Sequence, residues 1–302
     1  MPVEEITPSV ARLRTLIANI YLVGSPGGPW VLVDTGTPGN AARIRYEAEQ
    51  RYGRDTRPTA ILLTHGHWDH AGSALALAEY WDVPIYAHRL ERPFLSRKSA
   101  YPPKDPMAGG AFSFLCRFFP SSTVNLGARL NDLPEGGEVP GVAGWRWHFT
   151  PGHAPGHVAF FHRDESVLLA GDACITMDLD SAMGIVAQEP RISRPPASFT
   201  YDWDQAHRSV ELLADLRPTA IGAGHGEPMF GWAVAVGLAD LARDFPRPRR
   251  GRYAFEPARA DETGVTFVPP PVPDPAPKIA AAVGLAAIAL GAVVVLSRRD
   301  SE

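Results

Sequence analysis

Seven consecutive residues limit what this chain can become. Thr64-His65-Gly66-His67-Trp68-Asp69-His70 follow directly on the apolar run Ala60-Ile61-Leu62-Leu63. The run reads as a buried strand, which places three histidines and an aspartate on the loop leaving its carboxyl end. Neutral imidazole and carboxylate suit zinc, iron and manganese. On a loop, His65 and His67 can turn toward one point while Asp69 and His70 turn toward a second. On a helix, residues two apart face away from each other. The plain alternative is a polar turn rich in histidine, and four ligand-type residues at this density argue against it.

Three later loops repeat the arrangement of strand, then loop, then ligand-type residue. Trp145-Arg146-Trp147-His148-Phe149 opens onto Thr150-Pro151-Gly152-His153-Ala154-Pro155-Gly156-His157. Ser166-Val167-Leu168-Leu169-Ala170 ends in Gly171-Asp172, and Thr219-Ala220-Ile221-Gly222-Ala223 leads to Gly224-His225-Gly226. Earlier, Trp30-Val31-Leu32-Val33 is closed by the turn Asp34-Thr35-Gly36.

His-x-His-x-Asp-His after a strand, with the later motifs in this order, resembles the metallo-β-lactamase superfamily over roughly residues 10–245. In motif it is most similar to the glyoxalase II and lactonase branches. The resemblance implies an α/β fold, a four-layer αβ/βα sandwich. It also implies two divalent metal ions, zinc first, with iron or manganese as alternatives. His65, His67 and His153 would hold one metal, Asp69, His70 and His225 the other, and Asp172 would bridge them. Asp69 and Asp172 would be the catalytic carboxylates. Behind the ligands, Asp34 would accept a hydrogen bond from a ligand histidine's second nitrogen, and His157 would orient its loop. His88, His148, His162 and His207 match no motif.

The function so implied is hydrolysis of a small ester, thioester or lactone by a hydroxide bridging the metals. Asp172 stands where the commonest antibiotic-degrading branch has a cysteine, and the residues that hold glutathione in glyoxalase II have no match here. The alternatives are a mononuclear iron sulfur dioxygenase of the same fold and a nuclease or phosphodiesterase. The formal net charge of -4 offers no general attraction to nucleic acid, so the expected partner is a small-molecule substrate.

A chain of 302 residues, 45% hydrophobic and 21% charged, can bury a large core. Cys116 and Cys174 lack metal-finger spacing and read as buried, reduced thiols. Residues 89–133 and 175–200 lose periodicity. In this fold an insertion there would lie over the metal face, as a substrate lid or as an extension packed on the core. Arg247, Arg249, Arg250 and Arg252 read as a solvated helix end.

Residues 279–296 contain only Ala, Gly, Val, Ile and Leu, with Lys278 before and Arg298 and Arg299 after. This reads as a single-pass transmembrane helix at the short end of the roughly 20 residues that span a bilayer. No signal of export type precedes the domain, which puts it in the cytoplasm, anchored to the membrane by its tail. The expected organisation is a catalytic domain over 1–250, a proline-rich linker over 251–278, the span over 279–296 and a short tail over 297–302.

Overall fold

The structure is a computed structural model that describes residues 3–121 and 123–274. The chain divides into two compact units, Met1–Pro269 and Pro270–Glu302. All the strands and helices among the described residues belong to the first unit.

Its first sheet has seven strands in sequence order: β1 (Glu4–Thr7), β2 (Val10–Arg14), β3 (Asn19–Val23), β4 (Val31–Val33), β5 (Ala60–Leu62), β6 (Ile85–Ala87) and β7 (Leu130–Asp132). The first four pair antiparallel and the last four pair parallel. The second sheet holds β8 (Trp145–Phe149), β9 (Val158–His162), β10 (Val167–Leu169), β11 (Ala220–Gly222) and β12 (Met229–Phe230), with β10 and β11 parallel.

Alternation along the strands makes four layers of this. Leu62, Val31, Val33, Tyr21 and Val23 face Val158, Phe160, Val167 and Leu169 in one core between the sheets. The neighbours of opposite parity, Ile61, Leu32, Ile20 and Leu22, pack outward against Ile44 of α1 (Ala41–Tyr52). A four-residue helix, α2 (Trp68–Ala71), follows the metal-type loop and leads to α3 (Ala74–Trp81), whose Leu77 and Trp81 join the same outer core. On the far side, Phe161, Leu168 and Ile221 pack outward against α7 (Trp203–Asp215) and α8 (Trp232–Arg243). Side chains two apart on a strand share a face, so buried-on-both-faces runs such as Ala60-Ile61-Leu62 feed two cores at once.

The residues between β6 and β8 contain α4 (Arg92–Leu95) and α5 (Ala111–Leu115), and those between β10 and α7 contain α6 (Ala182–Ala187). Ala111 N–H donates to Asp180 O and Phe112 N–H to Leu179 O, so the two irregular stretches pack on each other.

Two sequence expectations need revising. No helix among the described residues is long and apolar enough to cross a membrane, and 279–296 lies outside the described residues. The transmembrane helix, the membrane as partner and the anchored location are therefore withdrawn. They rested on composition alone, in a run rich in Ala and Gly and only as long as the shortest spans. Secondly, the compact unit runs beyond residue 250. Tyr253 is buried beside Tyr201 and Trp203, and β13 (Arg259–Asp261) pairs with β14 (Gly264–Phe267) in a hairpin, so part of the expected linker is folded.

The sheets are also joined by polar contacts. Tyr21 Oη donates to Ala223 O at 2.6 Å and Asn19 Nδ2 to the same oxygen at 2.9 Å, which fixes the segment leaving β11. Tyr21→Phe removes one of these two bonds from a buried ring. Stability should fall by about 1 kcal/mol, read as a lower urea midpoint at unchanged slope; an unchanged midpoint would show that the bond contributes nothing.

Candidate metal centre

All the motif loops leave the carboxyl ends of their strands on one edge of the sandwich, where the two sheets present their loops to each other. Asp34, just past β4, has a φ of 58° and turns its carboxylate back under β5. Its Oδ1 accepts from Thr64 N–H at 2.8 Å, and its Oδ2 accepts from Thr64 Oγ1 and from His70 Nδ1, both at 2.8 Å. Thr35 N–H and Oγ1 both donate to His70 O, at 2.7 and 2.8 Å. One corner thus holds both ends of the Thr64–His70 stretch.

The structure brings together all seven side chains singled out as ligands. Donor atoms of His65, His67 and His153 lie within 4.8 Å of one another, as do those of Asp69, His70 and His225, and those of His65, His70 and Asp172. Asp172 lies between the first two groups: its Oδ2 is 3.4 Å from His153 Nε2 and 3.2 Å from His225 Nε2, and its Oδ1 is 3.7 Å from His70 Nε2. Asp69 Oδ2 is 3.7 Å from His225 Nε2 and 3.9 Å from His70 Nε2.

Outer partners decide which nitrogen of each ring points inward. His225 Nδ1 donates to Ile17 O at 2.9 Å, because a carbonyl can only accept, and this leaves Nε2 as the nitrogen that faces Asp172. His70 Nδ1 donates to Asp34, with the same consequence. Thr64 Oγ1 gives its hydrogen to Asp34, so His65 Nδ1, 3.0 Å away, is the donor and its Nε2 is free. His65 Nε2 and His153 Nε2 both face His67 Nδ1, at 2.9 and 3.1 Å. His67 Nδ1 carries at most one N–H, so it cannot make a straight hydrogen bond to both of the nitrogens that face it.

Charge makes the same point. Burial holds His67 down to about 4 and pushes His65 and His153 well below the ordinary imidazole range, so these rings are neutral. Burial also opposes a charge on His70, but Asp172, Asp34 and Asp69 outweigh it and hold that ring up to about 10. For Asp172, burial would raise the carboxyl, and the facing His225 and His70 rings overcome this and keep it well below the usual carboxylate range. His70 Nε2 and Asp172 Oδ1 are buried with no hydrogen-bond partner. Buried donors of this kind, aimed at one another and unpaired, fit a divalent cation.

His157 is not aimed inward. Its Nε2 accepts from Asp172 N–H at 2.9 Å and its Nδ1 lies 2.8 Å from Thr150 Oγ1, so both nitrogens are used in holding loops. His88, His148, His162 and His207 lie outside the cluster; His88 stacks on Phe149, and His207 stacks on Phe245 and meets Ala242 O at 2.7 Å. Cys116 and Cys174 are buried thiols, pushed up by burial to about 11 and about 12.

Three residues near the centre carry no motif and were not singled out by sequence. Tyr201 Oη is 3.5 Å from His67 Nε2, and Tyr101 packs its ring against His67 at a centroid distance of 4.6 Å. Glu91 lies fully buried behind them, its carboxyl raised by burial to about 7. In the sequence Glu91-Arg92 looks like an ordinary charged surface pair.

Above the donors the walls are apolar. Ile17, Trp68, Phe112, Phe119, Pro196 and Phe199 surround a narrow cavity of ≈ 20 Å³ whose floor includes His67, Asp69, His153, Asp172 and His225. A second cavity of ≈ 240 Å³ adjoins it, sharing His67, Trp68 and Phe199 and extending past Tyr101, Lys104 and Tyr201.

Comparison with known proteins agrees with this architecture. Residues 13–225 match the metallo-beta-lactamase superfamily. The chain is 40% identical over 241 residues to the probable metallo-hydrolase YflN of Bacillus subtilis, spanning 79% of this chain and 91% of that protein. It is more distantly similar to the hydroxyacylglutathione hydrolase GloC of Haemophilus influenzae, at 28% identity over 47% of this chain and 59% of that one. Among solved structures, the metallo-beta-lactamase family protein TTHA1429 of Thermus thermophilus superposes with a TM-score of 0.54 at 27% identity, covering 80% of each chain. TTHA1623, solved in a di-iron-bound form, gives 0.51 at 25% identity, covering 78% of this chain and 97% of that one. With the matched region taking in the whole of the first motif and ending on His225, the chain belongs to the metallo-β-lactamase superfamily.

Proposed function

We propose that this chain is a metal-dependent hydrolase with two divalent cations, cleaving a small ester, thioester or lactone. The observation that carries the reading is the convergence of seven ligand-type side chains, six of them buried and with His70 Nε2 and Asp172 Oδ1 unpaired, beneath an apolar pocket whose floor takes in five of them. His65, His67 and His153 would hold one cation and Asp69, His70 and His225 the other, with Asp172 placed between the two groups. The identity to a named metallo-hydrolase supports hydrolysis, and the di-iron form of a relative of this fold supports two metals.

Bound there, the cations supply a Lewis acid for a carbonyl oxygen and a water acidified enough to attack at neutral pH. The chain's own residues do the rest. Asp172, fixed through its N–H by His157, keeps a negative charge between the two histidine groups. Asp69 has more solvent access than Asp172, 14% against 3%, and is placed to pass a proton to the leaving oxygen or sulfur. The aromatic walls exclude bulk water and suit an apolar substituent beside the scissile bond. The adjoining cavity takes the remainder of the substrate. No thiol competes as nucleophile, since burial keeps both cysteines protonated.

Metal analysis of the purified chain, followed by a hydrolysis screen over lactones, thioesters, phosphodiesters and β-lactams, tests the reading. Two metals per chain and turnover of an ester-type substrate are expected; one iron with oxygen uptake would overturn it. Asp172→Ala should be the most damaging single change, with metal per chain reduced and turnover lower by several orders of magnitude. Asp69→Ala touches one group only and should keep more metal. An Asp172 variant with two metals and near-normal turnover would sink the bridging role.

His153 and His157 offer a second contrast within one loop. His153→Ala should lose metal from the three-histidine group, whereas His157→Ala should retain most of it, because neither nitrogen of His157 faces the centre. Metal content measured after dialysis decides this, and the reverse pattern would reassign the loop.

A further inference from the structure

The two loops that carry the three-histidine group come from different sheets. His65 and His67 follow β5, while His153 follows β8. Nothing in the covalent chain keeps them in register, since 86 residues separate His67 from His153. A single carboxylate spans the gap behind them. Glu91 Oε2 accepts from Gly66 N–H at 2.8 Å, and Oε1 accepts from Gly156 N–H at 2.7 Å. Gly66 is the residue between His65 and His67, and Gly156 lies in the turn that carries His153.

The contact is built into both loops. A Cβ on Gly66 would lie 2.8 Å from Tyr101 Oη and from a Leu95 methyl, and a Cβ on Gly156 would lie 2.8 Å from Glu91 N and Cγ. Each loop therefore has a glycine where the carboxylate and its neighbour come closest. Tyr101 Oη donates to Glu91 Oε2 and accepts from Gly66 N–H at 3.0 Å, with its ring against His67. Among the described residues no Lys or Arg pairs with Glu91, which is 0% exposed. A buried carboxylate without a cation is costly to keep, and here its acceptors are spent on these three donors alone.

The geometry points to Glu91 as the positioning residue that sets His65 and His67 against His153 for metal capture. The inference rests on the reading that these three rings hold a cation. Glu91 touches neither metal nor substrate; it acts through the peptide groups of the two loops. A glutamine in its place keeps one acceptor oxygen but turns an NH2 toward the other loop's N–H, so this side chain can accept from only one of the two loops. Groups standing behind metal ligands typically alter affinity by about 10–100-fold when changed.

The test is zinc affinity of the metal-free full-length chain, by competition with a chromophoric chelator, well below every variant's melting temperature. Apo melting is recorded alongside for wild type, Glu91→Gln, Glu91→Ala and Tyr101→Phe. Glu91→Gln and Glu91→Ala should bind zinc about 10–100-fold more weakly while the apo chains remain folded. Tyr101→Phe, which leaves the carboxylate on both N–H groups, should lose less. Wild-type affinity in a folded Glu91→Gln chain overturns the proposal, as does a Glu91→Gln chain that is unfolded and not recovered by excess zinc. If Glu91→Ala alone fails to fold, Glu91→Gln decides. A wild-type chain that takes up no zinc or iron at all would instead remove the metal reading on which this one stands.

Discussion

Five imidazoles and two carboxylates are held face to face, all but Asp69 buried, and the rest of the molecule serves that arrangement. Left alone, such groups would turn outward to be solvated or pair with their own backbone. Here four of the seven are held by a partner behind them. Asp34 occupies His70 and Thr64, Thr64 occupies His65, the Ile17 carbonyl occupies His225, and His157 occupies the Asp172 N–H. Which ring nitrogen faces inward follows from these outer bonds. With His70 Nε2 and Asp172 Oδ1 left unpaired among these donors, the chemistry of the site fits a divalent cation.

The double sheet explains why the outer bonds can be so exact. The loops after β4, β5, β10 and β11 start from strands buried on both faces, so their first residues are fixed by two cores rather than one, whereas the His153 loop leaves the half-exposed edge strand β8. Asp34 leaves β4 next to β5 and reaches the neighbouring loop directly. His225 is tied to the opposite sheet through Tyr21, Asn19 and the Ile17 carbonyl. The first hairpin is thus part of the site although it carries no ligand.

The centre was legible because metal ligation needs a few residue types at short spacing, and a strand ending in such a loop has a plain pattern. Asp34 was legible for the same reason, as an acid closing a strand. Glu91, Tyr101 and Tyr201 were not. Their role depends on contacts made 25 to 134 residues away, and no local period marks a glutamate that will be buried. The hairpin over 259–267 was hidden by its setting among prolines and charges, and the run at 279–296 shows the opposite error. Apolar composition alone suggested a span there, without any structural element among the described residues to support it.

The same distinction separates the chemistry from its selectivity. Donors sit just past strand ends, whereas the walls around Phe112, Phe119 and Phe199 come from 3-10 turns and short helices. Those segments hold to each other by a few backbone bonds, such as Ala111 N–H to Asp180 O, and to the core by small clusters. Changing a wall aromatic alters the shape offered to a substrate without disturbing a donor's outer partner. Phe199, like Ile17 whose carbonyl holds His225, couples them. Its ring meets His67 at 5.7 Å between centroids, and the neighbouring Thr200 hydroxyl lies 3.5 Å from His153 Nδ1. A substrate group pressing on Phe199 thus bears on two rings of the three-histidine group, which gives the wall a direct route to the geometry of the metal floor.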